Sequence, residues 1–429
     1  MLVAMILGCC GCQDDSQAPT QASAPESAIV RRIQRASPLP LAPPDATNRV
    51  ANDPAAAHLG QWLFFDTRLS GTGTFSCATC HDPQKDFSDG LPVAKAIETS
   101  SRHTPSLLNV AHHRWVGWDG RSDSIWAQAL RPLEHPGEMG GNRVAIARLV
   151  ATDPKLREAY EGVFGKIPFD VAKLPLQGMP GEDPDLRAQW ESIAPETQHQ
   201  ITEMMANLGK ALAAYQRLLE NRDAPFDRYV ASLDSPNANE AILTPSQLRG
   251  MEIFFGRGEC WECHTGSHFS DGEFHNIGVP PPGGGLPRDP GRFTGSRIVK
   301  SDPFNAAGEF SDKQDGPWAK VVGNTRVDPE TWGAFKTPSL RGVADTPPYM
   351  HAGQFATLEE VIRFYSTLEG AVQLDHHQEA VLTPLNLSDT EISDLEAFLG
   401  SLGGSDVSEE LQISPQDPRF KPDIGTTSR

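Results

Sequence analysis

The sequence predicts a mainly α-helical protein of two domains related by internal duplication, with long irregular loops. Three observations predict this. Apolar residues recur at helical spacing, as in Ile201, Met204, Met205, Leu208, Leu212, Tyr215 and Leu219, and alternating strand patterns are few. Short strings repeat in order: Leu63-Phe64-Phe65, a C-x-x-C-H motif and Phe87-Ser-Asp-Gly90, then Ile253-Phe254-Phe255, a second C-x-x-C-H and Phe269-Ser-Asp-Gly272. Gly (38) and Pro (36) are frequent enough in 429 residues to require long connections. The repeat continues as Thr104-Pro-Ser-Leu-Leu-Asn-Val110 and Thr337-Pro-Ser-Leu-Arg-Gly-Val343, offset by 233, and the same offset pairs Trp118-Asp-Gly120 with His351-Ala-Gly353.

Taken in order, residues 1–12 read as an export leader. Its apolar run ends in Ile6-Leu7-Gly8-Cys9, which resembles a lipobox with Cys9 as the lipidated residue, although no basic residue precedes it. Residues 13–50, rich in Ala, Pro, Ser and Gln, read as a disordered linker. The first domain is expected over 51–240, the second over 241–405, and a tail over 406–429. Thr244-x-x-Gln247, Thr357-x-x-Glu360 and Ser388-x-x-Glu391 are capping boxes that open three helices. Residues 276–335 are aperiodic and read as a long loop wrapping the second domain. With 37 Lys and Arg against 56 Asp and Glu, a net charge of −19 excludes a nucleic-acid footprint and opposes an anionic membrane surface. Beyond the leader no apolar run approaches the ~18 residues of a membrane span.

Cys9, Cys10 and Cys12 lie in the leader. The other four of the seven cysteines form Cys77-Ala-Thr-Cys80-His81 and Cys260-Trp-Glu-Cys263-His264. A bare C-x-x-C fits a redox dithiol or half a zinc site. A His directly after the second Cys points instead to covalent haem c, with both thiols on the haem and His81 and His264 as proximal iron ligands.

Further strings carry a family resemblance: Leu63-Phe-Phe-Asp-Thr-Arg-Leu-Ser70, Thr104-Pro-Ser-Leu-Leu-Asn109, Trp118-Asp-Gly-Arg121, Pro136-Gly-Glu-Met139, Phe335-Lys-Thr-Pro-Ser-Leu-Arg341 and Pro348-Tyr-Met-His351. With them the chain resembles the bacterial di-haem cytochrome c peroxidase superfamily over roughly residues 55–405, and within it the MauG-type branch, including the MbnH-like enzymes. The resemblance implies that the first haem meets peroxide. Gln128 and Glu138 fall at the family's distal-pocket positions, Glu138 as the acid that moves a proton between the peroxide oxygens. On composition alone Glu138 reads as a solvated turn residue, and Gln128 as the polar face of a helix over Ser124 to Leu130. The loop from Ser88 to Arg102 holds no His to plug the first iron, so peroxide is expected to enter directly. His103, His112 and His113 are the nearest substitutes and read as structural.

Tyr365, fourteen residues past His351, falls where electron-transfer members carry a Met ligand and MauG-type enzymes a Tyr. The resemblance makes it the sixth ligand of the second haem, whereas the helical pattern alone makes it a core residue between Val361 and Leu368. The same resemblance places Trp118 between the haems as a relay for an electron hole, although a packed core Trp reads equally from pattern. Trp261 is a candidate exit towards a partner. The family's calcium ion would use carbonyls of Thr346 and Pro348, but its Asn position is His103 here, and imidazole suits a hard cation poorly. The function implied is a hydrogen-peroxide-dependent, periplasmic di-haem enzyme that stores two oxidising equivalents and oxidises a residue on an exported protein. The alternative is a conventional peroxidase fed by a small cytochrome or copper protein. A non-catalytic multihaem carrier is disfavoured by Gln128 and Glu138.

Overall fold

The computed structural model describes residues 24–233, 242–372 and 382–420. Among them the helices are α1 (Ala24–Arg35), α2 (Pro54–Phe65), α3 (Cys77–Cys80), α4 (Ile125–Glu134), α5 (Arg143–Thr152), α6 (Pro154–Phe164), α7 (Pro184–Glu191), α8 (Pro195–Gln216), α9 (Pro225–Ser232), α10 (Pro245–Phe255), α11 (Arg292–Ser301), α12 (Pro317–Gly323), α13 (Leu358–Thr367) and α14 (Asp389–Gly400). Two short strands, β1 (Phe274–His275) and β2 (Phe335–Lys336), pair antiparallel with Phe274 opposite Lys336. No described helix is long and apolar enough to cross a membrane.

The expected mainly α architecture is present, and all three capping boxes form. Thr244, Thr357 and Ser388 each accept the N–H of the residue three further on, and Gln247, Glu360 and Glu391 return to the cap N–H. α8 buries the stripe read from its sequence and is the post of the first half, with α2 and α4 packed on it. The α2–α8 crossing closes to backbone contact at Gly60, where a Cβ would collide with the Ala211 carbonyl oxygen. In the second half α10 meets α14 the same way, a Cβ at Gly250 colliding with the Asp394 carbonyl oxygen. Each crossing carries an aromatic core: Phe64, Phe87 and Tyr215 in the first half, Phe226, Phe254, Phe255, Phe269 and Phe398 in the second.

Four expectations about segments change. The leader and Cys9 lie outside the described residues, but the linker is not loose over its described part: α1 is helical and Ile33, Ala36 and Leu39 are buried. A cut at residue 240 does not separate the cores, because Phe226 and Val230 of α9 join Ile33 in the second core while Phe304 and Val407 join the first. The tail also returns to the first half, where the Gln61 side-chain amide donates to the Ile413 carbonyl at 2.9 Å. The loop over 276–335 contains α11 and α12, and it clasps the first half as well. Val299, Ala306, Ala319 and Val322 pack with Trp115, the Ala306 N–H donates to Asp123 at 2.7 Å, and the Trp318 indole donates to the Asp123 carbonyl at 2.9 Å.

Candidate functional site

The repeated strings build the same local device twice. Phe87 and Phe269 open the two Phe-Ser-Asp-Gly strings, both with left-handed backbone (φ 57° and 50°). That turn aims the Phe87 carbonyl at His81 Nδ1 and the Phe269 carbonyl at His264 Nδ1, each at 3.0 Å. With Nδ1 donating, Nε2 keeps the lone pair a metal needs. The next residue in each string, Ser88 or Ser270, donates to the Thr104 or Thr337 carbonyl at 2.9 and 2.7 Å, which fixes the Thr-Pro-Ser segment beside its motif. Burial lowers the affinity of both imidazoles for a proton, so they stay neutral and able to ligate.

None of the four cysteines is in a disulfide. Burial pushes Cys77 and Cys260 up to about 12 and Cys80 to about 11, far from the thiolate range of an activated redox dithiol. A thiol pair and a neutral, oriented imidazole at each motif are the donor set that covalent haem c requires. The space fits too. One cavity of about 1410 Å³ is lined by both motifs, more than a single drug-sized ligand occupies.

Gln128, Glu138, Trp118 and Tyr365 all line this cavity. Gln128, on α4, accepts from the Ser122 hydroxyl at 2.9 Å. Glu138 sits in the turn after α4, its carboxylate 3.8 Å from His135 Nδ1 and 45% exposed, so it faces cavity and solvent rather than the core. The Trp118 indole donates to the His103 carbonyl at 2.9 Å, and its own carbonyl accepts the Lys336 N–H at 2.8 Å, which ties this first-half residue to β2 of the second. Tyr365 does not lie in the core as the pattern alone implied. The core positions of α13 are Leu358, Ile362, Phe364 and Ser366, whereas Val361 and Tyr365 are half-buried and look into the cavity. Burial, then the nearby Cys260 and Cys263, push its phenol above the ordinary range. Leu368 lies past the helix as its left-handed cap.

Trp261 is not an open exit. The Arg32 guanidinium of α1 lies 3.6 Å from its ring centroid, and its indole nitrogen is buried without a partner. Thr346 and Pro348 line the cavity, but His103 is buried with Nδ1 on the Leu91 carbonyl at 2.7 Å, so its side chain supplies no oxygen donor for calcium. Two features were missed from sequence. Arg102 bridges Asp119 and Asp289, both at 2.8 Å, across the loop boundary. Burial pushes Asp119 up, but bonds from Arg121 and the charges of Arg121 and Arg102 outweigh it and hold the carboxyl below its usual range. The second feature is a partly buried cluster of His112, His113, His268 and Lys336 at the junction of the halves.

Two copies of one haem-c device facing a common cavity in a helical fold define a di-haem c-type enzyme. The comparisons with known proteins agree: a family model described as di-haem cytochrome c peroxidase matches residues 54–235. The methylamine utilization protein MauG of Methylorubrum extorquens is 30% identical over 414 residues, 94% of each chain. A cytochrome-c peroxidase of Denitromonas iodatirespirans is 30% identical over 366 residues, 85% of each. Among solved structures, the diheme peroxidase BthA of Burkholderia thailandensis matches with TM-score 0.61 at 25% identity, covering 83% of this chain and 87% of that one. A MauG-like protein associated with microbial copper homeostasis matches with TM-score 0.59 at 26% identity, over 88% and 97%. The chain belongs to the di-haem cytochrome c peroxidase family, in its MauG-type branch, and is an oxidoreductase acting on peroxide.

Proposed function

We propose that this enzyme uses hydrogen peroxide to withdraw two electrons from a residue on an exported protein partner, holding the oxidising equivalents across both haems. The observation that carries the reading is Tyr365, which projects from α13 into the cavity beside Cys260 and Cys263 where the second haem attaches. When bound, the haems supply peroxide activation and a store for the oxidising equivalents. A phenolate ligand favours oxidised iron, whereas a thioether favours reduced iron. That distinction separates a store from a port for reduced cytochrome.

The chain's own groups supply the proton work. Glu138, open to the cavity, takes a proton from one peroxide oxygen and returns it to the other, so that water can leave. Gln128, held by Ser122, orients the bound peroxide through its amide. Trp118, tied to both halves, is the relay between them. Since the His103 side chain offers no oxygen, calcium has no part in the proposal. Export, with Cys9 as lipid anchor, belongs to it and rests on the leader sequence; intact-mass measurement of the mature N-terminus tests this.

Conventional turnover with a small cytochrome is the second reading, favoured by cytochrome-c peroxidases at the same 30% identity as MauG. Stopped-flow mixing of peroxide-treated enzyme with reduced small cytochrome c separates the two. The proposal predicts slow, non-saturating oxidation that becomes faster in Tyr365→Met. Fast saturable oxidation by the unaltered enzyme would support the conventional peroxidase instead.

A further inference from the structure

We infer that Lys336, His113 and His268 form a partly buried proton-transfer chain at the wall between the two haem sites, which releases a proton when an electron leaves the haem pair. Lys336 Nζ lies 3.0 Å from His113 Nδ1, and His113 Nε2 lies 3.4 Å from His268 Nε2, at the long limit of a hydrogen bond. Lys336 and His113 line the haem cavity, and the Lys336 main-chain N–H holds the Trp118 carbonyl, so the chain begins on the wall that joins the halves. The His112 ring lies beside it, its centroid 5.4 Å from that of His268, with no hydrogen bond between the two. His268 Nδ1 and His112 Nε2 are buried without partners. Lys336 is buried and the three imidazoles are half-buried, and packing alone gives no reason to leave two of their inaccessible nitrogens unpaired.

The proton positions follow atom by atom. A protonated Lys336 donates to His113 Nδ1, which places the His113 proton on Nε2, facing His268 Nε2. His268 then carries its proton on Nδ1, the unpaired atom. When an electron leaves the haem pair, one positive charge appears in a poorly screened wall. Lys336 passes a proton to His113 Nδ1, His113 passes its Nε2 proton to His268 Nε2, and the His268 Nδ1 proton is released to solvent water on the His112 side. Both imidazoles end neutral in the opposite tautomer and Lys336 ends neutral. One electron and one proton have left, and the local charge is unchanged.

The surroundings suit this division of labour. Burial lowers Lys336 to about 7, against the pull of Asp271, so it is half-protonated near neutral pH and acts as the store. Burial, then neighbouring charge, holds His113 (Lys336, His268, His112) and His268 (His112, Lys336, Arg341) far below the ordinary range, so they carry protons only by exchanging tautomers. His112, itself lowered by burial, feels the charge of Glu220 and, opposing it, those of Arg222, Arg341 and Arg217. The Glu220 and Arg222 side chains are 24% and 31% exposed, which makes theirs the solvent end.

The inference rests on the proposed sharing of oxidising equivalents across this wall. Its test is an optical redox titration of the diferric holoprotein at pH 6, 7 and 8. The ferric–ferrous equilibrium constant of one haem is expected to move with pH, approaching tenfold per pH unit, one proton per electron, on the alkaline side of pH 7. Lys336→Met removes that dependence. So does Lys336→Arg, which keeps a donor but cannot deprotonate, and it serves where the Met variant does not fold. His268→Asn keeps the equilibrium dependence but slows the electron step seen in stopped flow. A pH-independent wild type, or a Lys336→Arg protein with the wild-type dependence, would overturn the chain. Failure of the Tyr365 reading would appear separately, as an unchanged second-haem spectrum in Tyr365→Phe.

Discussion

Tyr365 and Val361 lie one helical turn apart, and both look into a cavity whose walls are mainly apolar. Hydrophobic period therefore places such a residue on the inner face without telling cavity from core, and only the family position pointed to a ligand. Tyr365→Phe is expected to leave thermal stability nearly unchanged, since the ring keeps its place, while changing the second haem's optical and EPR spectra. An unchanged spectrum would make Tyr365 a lining residue and leave Met350 and His351 as the alternative ligands, because His275 is held by Asp271 at 2.8 Å and His268 faces His113. Glu138→Gln should slow peroxide cleavage by a factor on the order of 10²–10⁴, read by stopped flow; an unchanged rate would return Glu138 to the surface. The haem ligands were legible because each motif is contiguous. The Lys336–His113–His268 chain was not, since its members come from segments 223 and 155 residues apart and no local spacing joins them.

At the scale of elements, capped and apolar helices were readable while polar ones were not. α11 buries Arg292, Gly295, Ser296 and Val299, a helical period of which only the last position is apolar. Its partners are equally irregular: Arg292 donates to the Gly120 carbonyl at 2.8 Å, and Asp123 receives the Ala306 N–H. Burial raises Asp123 to about 7. Its folded-state pKa thus exceeds the unfolded value, so stability is lost as pH rises from about 4 to 7 and stays lower above that. Asp123→Asn is expected to gain stability relative to the parent between pH 5 and 8 in urea denaturation, and a constant difference would contradict this. The α10–α14 crossing gives a second test. Gly250→Ala should cost at least ~1–3 kcal/mol by overpacking against Asp394. Gly400→Ala, at the end of the same pair with open space beside it, should stabilise by about 0.5–1 kcal/mol.

Across the whole molecule, the two haem devices act together only if their halves are held in register. Within the second half, Arg341 of the second Thr-Pro-Ser-Leu string anchors its device to α9 and to the N-terminal segment packed beside it. It is buried, grips Asp227 of α9 through both terminal nitrogens at 2.8 and 2.9 Å, and donates to the Ser267 carbonyl at 2.6 Å, while Ser37 of the N-terminal segment donates to the same Asp227 at 2.7 Å. Burial pushes Asp227 up, but the bonds and charge of Arg341 outweigh it and hold it low. Asp227→Ala leaves a buried guanidinium unpaired and should cost ~3–5 kcal/mol in chemical denaturation. The resemblance supplied the Arg341 string but no reason for it, and neither α1 nor the returning tail was foreseen, because their few apolar contacts are made with distant segments. The central claim is that oxidising equivalents spread over both haems. Its most direct test is to add one equivalent of peroxide to the diferric holoprotein, without prior reduction, and follow both irons by Mössbauer spectroscopy. The account predicts that both iron signals change together at once; a change confined to one iron, or one that appears only after prior one-electron reduction, would contradict it.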